Sequence, residues 1–435
     1  MRVRLVKKSS GFNNAVWIIS CRVVQAVLSL FIGMWTARYL GPSNYGLINY
    51  ASSLASFVAP IAYLGINEVL VLELVNSPQD EGKTMGTSIV ISIIMSFICI
   101  LGIGLFVVIT SPNELDTIIV CSFYSITLIF RAFQIIQYWF QSKLLSKYAS
   151  IASVFIYIFV SVFKAILLIT GKNVYWFVFC CVLDETLIAG SLIWLYKKLN
   201  GGEFSFSKEK AGELIYKSKS YIIPNLMIAI FAQTDRIMLK LMVDNVAAGI
   251  YSAAMVCCNM SSFVFVAIID SFRPSIFSWK NQNQKLYEKR LKQLNCIIIY
   301  LSLIQCIVFM IFSNQIISIL YGSSYIEAEL VLKILVWYTL FSYLGSTRNI
   351  WILAENKQKL LWVINVVGAV MNIVLNYFLI PIYGASGAAF ASVFTQFFMN
   401  IVMCLILKQY REGIKLIIQS FNPKYCVELI RNRMK

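Results

Sequence analysis

Eight ionisable side chains interrupt stretches of the sequence that are otherwise apolar: Arg22, Arg131, Lys164, Asp184, Glu185, Asp235, Arg236 and Lys240. An ionisable group at membrane depth costs at least about 2.5–3.5 kcal/mol, so such residues face one another or a watery cavity rather than lipid. Five cations against three anions make that interior net positive, a setting suited to phosphate. Arg22, Arg131, Lys164, Arg236 and Lys240 are therefore the candidate substrate-binding cations. Asp184, Glu185 and Asp235 are candidates for ion pairing or for coupling to a proton, and Lys164 is equally placed to neutralise Asp184 or Glu185.

Neutral polar residues keep company with these charges at helical spacing. At about 100° per residue, Asn14, Arg22, Gln25, Ser29 and Thr36 fall on one stripe, as do Asn225, Gln233, Arg236 and Lys240. Arg131, Gln134, Tyr138 and Gln141 follow at i, i+3, i+7 and i+10, and Asn365, Asn372 and Asn376 share a face. Amides in such stripes also serve as hydrogen bonds between packed helices.

The elements that carry these residues are membrane spans. The 435 residues are 59% hydrophobic and 13% charged, against about half and a quarter in a soluble domain. Residues 85–110 and 360–384 carry no charge at all, and about 20 apolar residues suffice for a helix to cross a bilayer. The short alternating segments of a β-barrel are missing. The pattern predicts an all-α polytopic protein with spans near 12–37, 46–72, 85–110, 117–140, 150–170, 174–196, 221–243, 247–270, 294–313, 330–350, 360–382 and 385–407. The basic start followed by a long apolar run without a small-residue cleavage site reads as the first span.

Lys and Arg set the orientation. With the N-terminus in the cytoplasm, 27 of the 37 fall in segments on that side and only Arg38 and Lys172 in the opposite loops. Both termini are thus expected to be cytoplasmic. The polar stretch 197–220 divides the chain into a six-helix half at 1–196 and another at 221–407, followed by a basic cytoplasmic tail at 408–435. Tyr45–Ala51 and Ala248–Ala254, opening the second and eighth spans, are weakly alike, as in transporters whose halves repeat in parallel. Arg22 and Arg236 sit in corresponding spans of the two halves and are expected to line a central cavity. Pro60 and Pro224, inside spans, are candidate hinges. Ile414, Leu416, Ile417 and Ile418 among the tail's cations suit the anionic cytoplasmic leaflet.

Several classes fall away. The net charge of +17 comes from basic residues between apolar blocks, so topology accounts for it and no nucleic-acid partner is expected. The chain has no histidine, and its 11 cysteines form no CxxC motif. They read as small buried hydrophobes, with no metal or cofactor expected. The longest external connection, about 314–329, carries no supported acid/base pair, which argues against a membrane glycan polymerase or ligase and for a protein that is not an enzyme.

Particular strings resemble a known family. Arg38-Tyr39-Leu40-Gly41-Pro42 with Asn44-Tyr45-Gly46, then Gln233-Thr234-Asp235-Arg236-Ile237-Met238-Leu239 with Ala248–Ala254, and Ile380-Pro381-Ile382-Tyr383-Gly384-Ala385-Ser386-Gly387 occur in an order similar to that of the O-antigen (Wzx-type) flippases of the MOP superfamily. That superfamily also holds the MATE drug exporters and the lipid II flippases. The resemblance covers essentially the whole chain. It implies translocation of an undecaprenyl-diphosphate-linked oligosaccharide from the cytoplasmic to the periplasmic leaflet of the bacterial inner membrane, by alternating access through a cationic lumen. The partners it implies are that lipid-linked glycan, membrane lipids and other polysaccharide-assembly membrane proteins. A MATE-like cation or drug antiporter, or a capsule- or teichoic-type exporter, is the alternative. The first span carries Arg22 and no acid, which argues against the antiporter, while Asp184, Glu185 and Asp235 leave proton coupling open.

Overall fold

The computed structural model describes the backbone of residues 9–433 and the side chains of 21 and 23–428. Two compact units, Met1–Gln233 and Thr234–Lys435, divide the chain. In the first, α1 (Ser9–Tyr63) packs against α3 (Glu81–Thr110), α4 (Leu115–Ser125) and α7 (Ser146–Ile169). α8 (Val174–Lys198) lies against α4, α7 and α5 (Thr127–Ala132), and α2 (Ile66–Asn76) against α6 (Ile136–Ser142). α9 (Lys208–Met242) carries the chain into the second unit. There α13 (Ala328–Ala354) is central, touching α10 (Asn245–Asn259), α11 (Ser262–Lys280), α12 (Gln284–Leu320) and α14 (Leu361–Phe397).

The exposed helix faces are apolar where those of a soluble protein would be polar. On α3 the serines Ser88, Ser92 and Ser96 are fully buried, while Ile94, Phe97, Leu101 and Leu105 are exposed. Small polar residues let helices approach closely and pair across the contact, and the large apolar residues suit lipid. Only 17–56% of the most apolar window of each crossing-competent helix is buried. This is a multi-pass membrane protein.

Among the described residues, nine helices are long and apolar enough to cross a bilayer, and the pair α10–α11, bent by 42° at its break, adds one more. Two of the nine are of double length and break at a glycine: α1 at Gly41 (φ 71°, ψ 171°) and α14 at Gly384 (φ 55°, ψ −133°). Dividing each there gives the twelve expected spans. These backbone angles are open to glycine and strained for other residues. At the first break Pro42 also keeps its predecessor out of the helical conformation. A Cβ on Gly41 would meet nothing within 4 Å, so Gly41→Ala tests backbone strain alone. Its expected cost is about 1–3 kcal/mol, read from unfolding in detergent. Gly33→Ala, equally unobstructed but helical, is expected to be neutral or mildly stabilising. Equal losses at the two sites would contradict the strain account.

Two connections differ from expectation. The polar stretch 197–220 is an anchored segment. Its extended part lies against α3, where Gly82 and Gly86 admit the Glu203 and Ser205 backbones: a Cβ would stand 2.1 Å from Glu203 O and 2.5 Å from Ser205 N. From Lys208 it is helical, and Glu73 of α2 accepts from Lys210 at 2.5 Å and Lys217 at 2.7 Å, with Glu213 bonding both lysines. The external connection expected near 314–329 is shorter, because α12 continues to Leu320. The last span ends in α15 (Met403–Ile406), and the tail forms α16 (Arg411–Gln419) and α17 (Lys424–Arg433). α16 buries Ile414 and Ile417 against the second unit and leaves Ile418 exposed.

Candidate functional site

In the first unit the charges gather where the fourth span is irregular. Between α5 and α6 the chain tightens into a 3-10 turn, Phe133–Ile135, a departure that often marks a hinge. It places Arg131 and Gln134 toward α8. Arg131 Nε–H donates to Glu185 Oε1 at 2.7 Å, and Gln134 Nε2 donates to the other carboxylate oxygen. Arg131 and Glu185 side chains remain 26% and 15% exposed. Glu185 thus engages the inner nitrogen of the guanidinium rather than its terminal fork. Asp184, one residue earlier, has its Oδ1 buried without a hydrogen-bond partner among the described residues. It lies within electrostatic reach of Lys164 and Arg131. So Arg131 takes Glu185, and Lys164 is the cation beside Asp184.

In the second unit one carboxylate is the hub. Asp235 is 5% exposed, and four donors converge on it from two helices, α10 and the segments of α14 on either side of Gly384. Oδ1 accepts from Asn372 Nδ2 at 3.1 Å and Asn376 Nδ2 at 2.6 Å, while Oδ2 accepts from the Tyr251 and Ser392 hydroxyls. Asn376 also donates to Asn372 Oδ1 at 3.2 Å, and its own Oδ1 is buried without a partner among the described residues. This single formal charge is held by two amide and two hydroxyl donors, all of them neutral. Among the described residues no three His, Cys, Asp or Glu side chains come together as a transition-metal site. Arg236 is half-buried and Lys240 is buried on the same helix.

Arg22 lies on α1, but its side chain, like that of Asn14, falls outside the described residues. The structure therefore joins Arg131 with Glu185 and sets Asp184 beside Lys164, and it gathers Asn372 and Asn376 around Asp235.

Sequence reasoning passed over four contributors. Tyr251 stood inside a quoted string without a role. Ser392 had no signal beyond being polar in an apolar run. Glu68, in the second span, accepts from Asn225 at the long distance of 3.5 Å. Arg348, in the tenth span, is buried, and its NH1 donates to Met399 O at 3.0 Å and its NH2 to Asn349 Oδ1 at 3.0 Å. Met399 belongs to the π-helical turn Phe398–Val402, whose loosened carbonyl Arg348 satisfies, so this cation braces a helix.

A helical membrane bundle with buried charges in each unit defines a class, and comparison with known proteins narrows it. The polysaccharide biosynthesis protein family matches residues 12–280, and the chain belongs to that family. No curated protein matches the sequence. Solved structures share the fold. An inward-facing multidrug resistance MATE family transporter of the MOP superfamily superposes with TM-score 0.68 at 13% identity, covering 91% of this chain and 95% of that one. The lipid II flippase MurJ, in an inward closed conformation, gives TM-score 0.67 at 12% identity over 97% and 100%. A MOP superfamily transporter from Pyrococcus furiosus gives 0.60 at 12% over 94% and 96%.

Proposed function

We propose that the protein is a flippase. It carries an undecaprenyl-diphosphate-linked O-antigen or related polysaccharide repeat unit from the cytoplasmic to the periplasmic leaflet of a bacterial inner membrane, by alternating access, with both termini in the cytoplasm. The observation that carries this reading is that a member of the polysaccharide biosynthesis family holds cations inside its helical bundle: Arg131, Lys164, Arg236 and Lys240, with Arg22 on α1. A diphosphate crossing a region that repels charge needs such partners. A guanidinium offers it a planar fork of donors, whereas an ammonium is a point charge. The polyprenyl tail needs no protein site, because it can stay in lipid. The likeness in fold to a lipid II flippase supports a lipid-linked substrate. The Asp235 hub supplies the coupling group, exchanging its bonded donors for a proton or a small cation.

The test is at the arginines. Arg22→Ala and Arg236→Ala are each expected to abolish glycan export, and Arg→Lys to restore it only in part. Export is measured per molecule of folded, membrane-inserted protein, which separates substrate contact from a role in pinning helices. Normal export per molecule in both alanine variants would sink the substrate-contact reading.

A further inference from the structure

We infer that the first unit contains a subsite for the uncharged sugars of the transported glycan, separate from the cations that meet its diphosphate. The inference rests on the flippase reading and names which part of the substrate goes where. A cavity of about 550 Å³ opens among α1, α6, α8 and the first turns of α7, within the roughly 300–1,000 Å³ of small-molecule sites. Four glutamines line it, Gln25, Gln134, Gln137 and Gln141, with Tyr138, Leu144 and three serines of α7. Among the described residues that line it there is no Asp, Glu, Lys or Arg.

That composition selects by exclusion. A phosphate calls for charge-assisted donors, and a polyprenyl chain would leave amides without partners, at about 1–3 kcal/mol for each buried polar group. A neutral sugar satisfies both kinds of wall. Each hydroxyl donates and accepts, as does each carboxamide, and the apolar C–H face of a pyranose can lie on the Tyr138 ring and Leu144. Gln137 and Gln141 are exposed, so their amides are open to a ligand. Leu144, at the rim, takes φ 57° as the left-handed cap that ends α6, where Leu145 N–H donates to Phe140 O at 2.7 Å.

The cavity also borders the charged cluster. Gln134 lines it and donates to Glu185, the carboxylate that Arg131 engages. Its outer rim is the turn at 141–149, which the distribution of Lys and Arg assigns to the cytoplasmic side. Sugars resting on the glutamines would thus lie next to a guanidinium, in the order in which glycan and diphosphate are joined.

The purified full-length protein in lipid nanodiscs provides the test, by saturation-transfer NMR with three probes: maltotriose, chitotriose and an oligogalacturonate trimer of the same length. Transfer to the ring protons of at least one neutral trisaccharide is expected, exceeding that to the uronate. It is expected to fall about tenfold in Q137L/Q141L and to survive inorganic pyrophosphate, which occupies the cations. Because both glutamines are exposed, the double variant is expected to keep the wild-type unfolding midpoint. If it does not, Q141N, which retains the amide but withdraws it by one methylene, is expected to give a smaller loss. The subsite is overturned by no transfer from either neutral sugar, by equal transfer in the variants, by preference for the uronate, or by displacement with pyrophosphate. Intact sugar transfer in a protein that exports no lipid-linked glycan would refute transport and leave the sugar site standing.

Discussion

Asp235→Ala is expected to lower the yield of folded protein and to stop export in what remains. The substitution removes the one acceptor on which Asn372, Asn376, Tyr251 and Ser392 converge. An orphaned buried donor costs about 1–3 kcal/mol, and the network can relax in part, so a total on the order of 3–5 kcal/mol is expected. Asp235→Asn separates scaffold from charge. The amide is isosteric, its oxygen still accepts, and the two hydroxyls can rotate to accept from its NH₂. Folded yield should therefore recover. If the charge couples transport to a proton or cation, export per folded molecule should still fall about 100-fold, the upper part of the usual range of coupling free energies. Export at the wild-type rate in Asp235→Asn would show that the charge only organises the helices.

The second large effect is expected at Arg131 and Glu185. Removing one member of a buried pair leaves the other uncompensated, which costs 3–5 kcal/mol where burial is complete. At 26% and 15% exposure, about 2–3 kcal/mol is the better expectation for Arg131→Met or Glu185→Met alone. The double variant R131M/E185M replaces the pair by apolar side chains of similar reach, and should recover more than half of the summed losses. Unfolding midpoints in detergent read this cycle, and simple additivity would mean that the two residues do not act as a pair. The same proteins report on function. A double variant that is folded but exports no glycan, while Glu185→Met alone still exports per folded molecule, identifies Arg131 as a contact for the anionic part of the substrate.

The breaks in the spans show what was legible along the chain. Gly41 and Gly384 sit in punctuated strings, so the two spans that meet at each could be separated along the chain. The polar stretch 197–220 was legible as a connection but not as an anchored one. Its anchors are Gly82 and Gly86, more than a hundred residues away, and the Glu73 carboxylate. Likewise Asn372 and Asn376 could be assigned to one helical face, because a period of 3.6 is a local property. That this face meets Asp235, 137 and 141 residues earlier, is non-local.

The sequence by itself determined that this is a multi-pass helical membrane protein of twelve spans with charges inside the bundle. Lipid imposes that reading residue by residue, since every apolar run long enough to span must close its own backbone hydrogen bonds as a helix. Partner choice inside the bundle was decided only by the tertiary structure. Arg131 had Asp184 and Glu185 within reach along the chain, and the 3-10 turn at 133–135 together with the packing of α5 on α8 gives it Glu185. Ser392 and Tyr251 acquire meaning only because α10 and α14 pack together and bring their hydroxyls to one carboxylate. The physical reason is the same in both cases: helical periodicity says which way a side chain points, and only packing says what stands opposite.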